Sequence, residues 1–179
     1  MSSLRDIRML ARYSAWANSL LYLALGELPE AELTNPRQIL FGNLIRTLNH
    51  VYTIDLVWQA HLEGREHGFT TRIPDVQVSF SDLRIAQATL DSWYIRYAEE
   101  MSDRQGEEIV DFTFIGGGDG SMTRGDILLH VVNHTTYHRG HIAAMMYQIP
   151  AQPPTTDLPV FLRNAALQTE RGPRGPQQA

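Results

Sequence analysis

Four stretches of this chain place apolar side chains at three- and four-residue intervals, and that spacing admits few folds. The first runs from Leu4 to about Leu28 through Ile7, Leu10, Ala11, Ala15, Leu21, Tyr22 and Leu25, and Pro29 marks its stop. The second is expected to open at Asn35-Pro36, a capping residue followed by proline at the first helical position. It then runs from Gln38 to Gly64, with Gly42 as a weak interruption. The third follows the capping segment Ser79-Phe80-Ser81 and carries Leu83, Ala86, Leu90, Trp93, Tyr94, Tyr97 and Met101. The fourth opens at Thr123-Arg-Gly-Asp126, a capping-box-like start with aspartate in the usual Glu/Gln place, and extends to about Gln148.

Between the third and fourth runs the period changes. Asp111-Phe112-Thr113-Phe114 alternates and leads into Gly116-Gly-Gly-Asp-Gly120, the pattern of a short hairpin or loop. After Pro150, Pro153 and Pro154 the segment Leu158 to Leu167 predicts one short terminal helix. The expected fold is all-α: an up-and-down antiparallel four-helix bundle with a small hairpin or loop insert before its last long helix. Residues 1–168 are read as one domain and 169–179, rich in Gly, Pro and Gln, as a flexible C-terminal tail.

Composition narrows the chemistry. The 179 residues hold no cysteine, which removes disulfides, thiolate metal sites and a cysteine nucleophile. All 15 basic residues are arginine, so a Schiff base, a pyridoxal anchor and a Walker lysine are absent too. Against 20 carboxylates they leave a net charge of −5, which argues against nucleic acid as a partner. No apolar run is long enough to span a membrane and no secretory signal is recognisable, so no membrane partner and a cytoplasmic location are expected. The three tryptophans, Trp16, Trp58 and Trp93, fall in helical apolar patterns and are expected in the core.

The remaining resource is histidine, with seven residues unevenly placed. The fourth run reads His130-Val-Val-Asn-His134-Thr-Thr-Tyr-His138-Arg-Gly-His141. At about 100° per residue the four imidazoles fall within roughly 80° of arc, on one helix face. Residues four apart are separated by about 6 Å along the axis and can share an ion, whereas His130 and His138, about 12 Å apart, cannot. The chelating choices are therefore 130 with 134, 134 with 138, or 138 with 141. A histidine pair of this kind needs a third ligand from another element. His50, on a stripe with Ile54 and Val57, is placed to point inward from the second helix, while His61 and His67 are expected at the surface. A site of His50, His134 and His138 offers three neutral donors and leaves an open coordination position, which favours catalysis. Asp55, Asp126 and the Glu99-Glu100 pair read most simply as solvated or capping charges. Gly140 inside a helix implies close approach of another backbone.

Three separated motifs resemble the DinB family, within the DinB/YfiT-like superfamily. They are Tyr13-Ser-Ala-Trp16-Ala-Asn18, then Leu48-Asn-His50 with Asp55 and Trp58, and Asn133-His134-Thr-Thr-Tyr-His138-Arg139-Gly140. The resemblance runs in order from about residue 5 to 165. It implies a bundle that binds one divalent transition metal, commonly nickel or zinc, through His50, His134 and His138, and a homodimer. The family motif usually continues with glutamine where this chain has His141, which is placed as a fourth ligand, a pocket acid or base, or a spectator, with the pocket role preferred. His130 is the other pocket candidate, and Asp55 or Asn133 is expected to orient a ligand imidazole.

Relatives in the superfamily include transferases dependent on low-molecular-weight thiols and a mycothiol-dependent isomerase. The resemblance thus implies a small-molecule substrate and a thiol cosubstrate whose pKa the metal lowers. A metal-dependent hydrolase using His141 or His130 as proton carrier, and a non-enzymatic metal-stabilised stress-response or binding protein, stand beside it.

Overall fold

In the computed structural model, which describes residues 4–170, the element order is α1 (Leu4–Gly26), α2 (Glu30–Thr34), α3 (Leu44–Glu63), α4 (Phe80–Glu100), α5 (Asp103–Gly106), β1 (Ile109–Thr113), β2 (Asp119–Thr123), α6 (Arg124–Met146) and α7 (Leu158–Glu170). The four long helices α1, α3, α4 and α6 are those the apolar spacing predicts. Within the tail expected over 169–179, positions 169 and 170 continue α7, and 171–179 lie outside the described residues.

Local chemistry sets most helix starts. Ser79 Oγ accepts from the Asp82 amide, and Thr123 Oγ1 from the Asp126 amide, so both expected caps act as caps. The start of α3 differs from expectation. Asn35 closes the short α2, and the cap of α3 is Asn43, whose Oδ1 accepts from the Arg46 amide at 2.9 Å. Phe41 and Gly42 both have positive φ, 70° and 80°, and no helix passes through two consecutive left-handed residues.

Helix directions follow from the cross-contacts. Arg8 bonds the Ala98 carbonyl, and Gly26 faces Phe80, so α1 and α4 are antiparallel. Arg124 donates to the Leu62 carbonyl while the His50 and His134 rings meet, so α3 and α6 are antiparallel. Asn49 exchanges hydrogen bonds with Val78, and Tyr94 Oη donates to the Asp55 carbonyl, so α3 and α4 run the same way. The bundle is therefore all-α but up-down-down-up: α3 and α4 run parallel where simple up-and-down alternation is expected. It is permitted by the crossover 64–79, which at about 3.4 Å per residue easily spans the roughly 30 Å length of the 20-residue α3.

The hairpin pairs Ile109 with Thr123 through Thr113 with Asp119 and lays Phe112 on Trp58, ring centroids 4.8 Å apart. Gly120 faces Phe112 so closely that an added Cβ would come within 2.5 Å of the ring. The core has two apolar clusters, one around Leu4, Ile7, Trp58, Leu90, Tyr94, Ile127 and Val131, the other around Leu21, Leu25, Leu44, Leu83, Ile142 and Met145. Between them, at mid-height, every long helix contributes buried polar side chains: Asn18, His50 and Asp55, Gln87, and Thr135, His138 and Arg139.

Candidate metal centre

The polar layer has two halves. In the first, His50 from α3 meets His134 and His138 from α6, and one ring nitrogen from each lies within 4.8 Å of the others. His50 Nε2 stands 3.2 Å from His134 Nε2. Two imidazoles on one tetrahedral ion at about 2.0–2.1 Å would hold their nitrogens roughly 3.3 Å apart, so the spacing fits a shared ion. His50 Nδ1 lies 2.9 Å from the Arg72 carbonyl, which can only accept, so Nδ1 carries the proton and Nε2 presents its lone pair. The crossover that runs back along the bundle thus sets the tautomer of the α3 imidazole. His134 Nδ1 and His138 Nδ1 are buried without a hydrogen-bond partner.

All three rings are held neutral. Burial, followed by the positive charge that His138, His50 and His130 would carry, lowers the His134 pKa to about 3. Burial, then His50 and His141, lowers that of His138 to about 4. Burial also lowers that of His50, partly offset by its bond to Arg72. Three neutral, desolvated imidazoles with no carboxylate suit zinc, nickel and other borderline divalent ions and do not suit calcium or magnesium.

The remaining candidates sit around this trio. His141 lies one turn beyond His138, ring centroids 5.2 Å apart, and packs on Tyr137 at 4.5 Å. His130 stacks loosely on His134 at 5.9 Å and edge-on against Trp58 at 4.8 Å. His61 and His67 are half-buried rather than at the surface, packing on each other and, through His61, on Phe112. The Phe69 amide donates to His67 Nδ1.

Two expectations about supporting residues are corrected. Asn133 is exposed, and Asp55 is neither solvated nor at a ligand ring. Asp55 belongs to the second half of the layer, where Gln87 Nε2 donates to both Asp55 Oδ2 and Asp91 Oδ1 at 3.0 Å. Asn18 Nδ2 donates to both Asp91 oxygens, and Asn18 Oδ1 accepts from Arg139 Nη1 at 3.1 Å. The guanidinium also lies over the Tyr13 ring. This chain of bonds ties Arg139, the neighbour of His138, to α1 and α4. Burial, and then the adjacent Asp91 charge, raises the Asp55 carboxyl well above the usual carboxylate range. Sequence reasoning gave Asn18 and Arg139 no role, although both lie within the quoted motifs. Arg72 acts through its carbonyl, which leaves no side-chain signal.

The close approach expected at Gly140 is not there: a Cβ built on it meets nothing within 4 Å. Gly140→Ala should therefore stabilise the protein by about 0.5–1 kcal/mol, seen as a thermal midpoint roughly 1–4 °C higher.

Protonation gives a second expected outcome. The unfolded chain takes up protons on these histidines below about pH 6.5, while the folded, metal-free chain resists until near pH 4 for His138 and pH 3 for His134. The folded state thus binds fewer protons across that window. Metal-free protein should be fully stable above about pH 6.5 and lose stability as pH falls toward 4. Urea midpoints measured in chelator at pH 7 and pH 5 should show this, and His134→Gln should flatten the difference.

A helical bundle that gathers three neutral imidazoles from two facing helices has a site that can hold a metal ion. The DinB family model matches residues 1–174, and the chain belongs to the DinB family. It is 29% identical over 170 residues to Protein DinB of Bacillus subtilis (strain 168), covering 86% of this chain and 91% of that protein. Its fold matches the crystal structure of a DinB-like protein from Bacillus cereus, with a TM-score of 0.60, 19% identity, and coverage of 80% of this chain and 91% of that one. Among the described residues no helix is long and apolar enough to cross a membrane.

Proposed function

We propose that the chain is a cytoplasmic, homodimeric metalloenzyme that transfers a low-molecular-weight thiol to a small electrophile, with nickel or zinc held by His50, His134 and His138. The observation that carries this reading is the donor set: three neutral imidazoles in a chain with no cysteine. When bound, the ion supplies Lewis acidity that lowers the pKa of an incoming thiol at an open coordination position. The chain's own residues do the rest. The Arg72 carbonyl fixes the His50 tautomer, and the bonds through Arg139, Asn18 and Asp91 hold α6 in register against α1 and α4. His141, beside Tyr137 and one turn from His138, is placed to hold or move a proton at the edge of the site.

The test presents zinc- and nickel-loaded protein with bacillithiol, mycothiol or glutathione and an electrophile such as a haloarene or epoxide. Thiol consumption that is abolished in His138→Ala and reduced in His141→Gln is the expected result. Ester or lactone turnover without thiol would replace this reading with the hydrolase. No turnover of either class, with a chelator-sensitive melting temperature, would leave the metal-stabilised binding protein.

A further inference from the structure

Phe41 is the one non-glycine residue with positive φ among the described residues, at 70°. A bulky aromatic residue is seldom found in that region, because its Cβ crowds the neighbouring carbonyl. The conformation is held from both sides: Arg46 Nε donates to the Phe41 carbonyl at 3.2 Å, and the Arg37 amide donates to the Gly42 carbonyl at 2.6 Å. The result is that the Phe41 ring lies 4.2 Å from the His50 ring, tilted by 35°, and 5.5 Å from that of His138. Gly42, next in the chain, adopts φ 80° at no steric cost. At position 41 the left-handed backbone instead carries the side chain that meets two of the three candidate ligand rings. Strain retained beside a reactive cluster is an observation from which a role can be argued.

We propose that Phe41 is a positioning residue of the metal centre. Its ring clamps the His50 and His138 imidazoles and closes the approach over their shared edge, so that metal and external ligands enter and leave slowly from that side. The inference rests on the three-histidine metal reading and deepens it. An aromatic face against an imidazole that shares a dication's charge is also attractive in its own right, whereas a neutral imidazole gains little from it. The clamp therefore tightens on the loaded state. Because the ring is apolar and offers no donor, it also shields the ligand nitrogens from water on that side.

Metal-free protein is loaded with cobalt(II), whose visible spectrum reports coordination, and then mixed with excess EDTA to time the release. Imidazole is titrated separately as an added ligand. Phe41→Ala should still bind one cobalt per chain but release it on the order of tenfold faster, and should bind imidazole more tightly. Phe41→Leu, which keeps an apolar wall, should fall between. Phe41→Gly should release cobalt as fast as Phe41→Ala yet melt at a higher temperature than Phe41→Ala, because glycine accepts the backbone. That split separates the ring from the backbone. Release within twofold of wild type in both Phe41→Ala and Phe41→Gly overturns the clamp while leaving the metal reading intact. Failure of the wild-type chain to take up cobalt overturns both.

Discussion

Purified wild-type protein should carry one divalent transition metal per chain, and His134→Ala should carry none. His134 is the hub of the cluster, 3.2 Å from His50 at their ring nitrogens and 4.5 Å from His138 between ring centroids. Removing it leaves two donors that cannot close a site on their own. At free metal about a hundredfold above Kd, binding only to the folded chain contributes about 2.7 kcal/mol. For a domain of this size that is a thermal midpoint roughly 5–11 °C higher. Chelator should remove that increment from the wild type and change His134→Ala not at all. His61→Ala is the control: its ring packs on Trp58, His67 and Phe112, outside the trio, so it should retain the metal and the chelator response. Elemental analysis with thermal melts in both conditions checks all of this. A metal-loaded His134→Ala would reject the assigned ligand set.

Arg139→Met should be the most destabilising single substitution at the polar layer, costing about 3–5 kcal/mol whether or not metal is present. Methionine keeps much of the side-chain volume, so the loss would be electrostatic and hydrogen-bonding in origin. The guanidinium donates to Asn18 and Thr136 and supplies the positive charge that faces Asp91 and Asp55. Without it two carboxyls remain in the core with neutral donors alone, Gln87, Asn18 and Thr135. A fall in thermal midpoint on the order of 10 °C is expected.

Asp55→Asn should cost far less, and less still as pH rises. The folded-state pKa of Asp55 is raised, so its contribution is favourable at low pH and is lost as pH climbs through that value. A neutral amide escapes that loss. Equal destabilisation by Arg139→Met and Asp55→Asn at pH 8 would show that the layer is not held by this charge arrangement.

The polar layer also marks where reading the chain as helical stripes stops working. Asn18, Asp55, Gln87, Asp91 and Arg139 lie among core positions of their helices, yet each is a residue type that ordinarily faces water. Only the presence of partners on other helices offsets the cost of burying any one of them, and those partners are distant in sequence. His61 shows the same limit from the other side. Its place beside Glu63 and Arg65 predicts solvent, but the hairpin brings Phe112 over it.

From the residues alone came the four long helices, the caps at Ser79 and Thr123, the hairpin insert and the histidine face of α6. These depend on short-range periodicity and on side chains bonding amides three residues away, both of which are written locally. Tertiary structure decided the rest: that α4 runs parallel to α3, that the Arg72 carbonyl reaches His50, that Arg139 is anchored through Asn18, and that Phe41 is held over two imidazoles. The first two depend on the crossover 64–79, the third on a side-chain bond between α6 and α1, and the fourth on hydrogen bonds that hold the left-handed turn at Phe41 and Gly42. Backbone carbonyls are identical at every residue, and a long connection permits either helix direction, so neither outcome has a signature in the order of side chains.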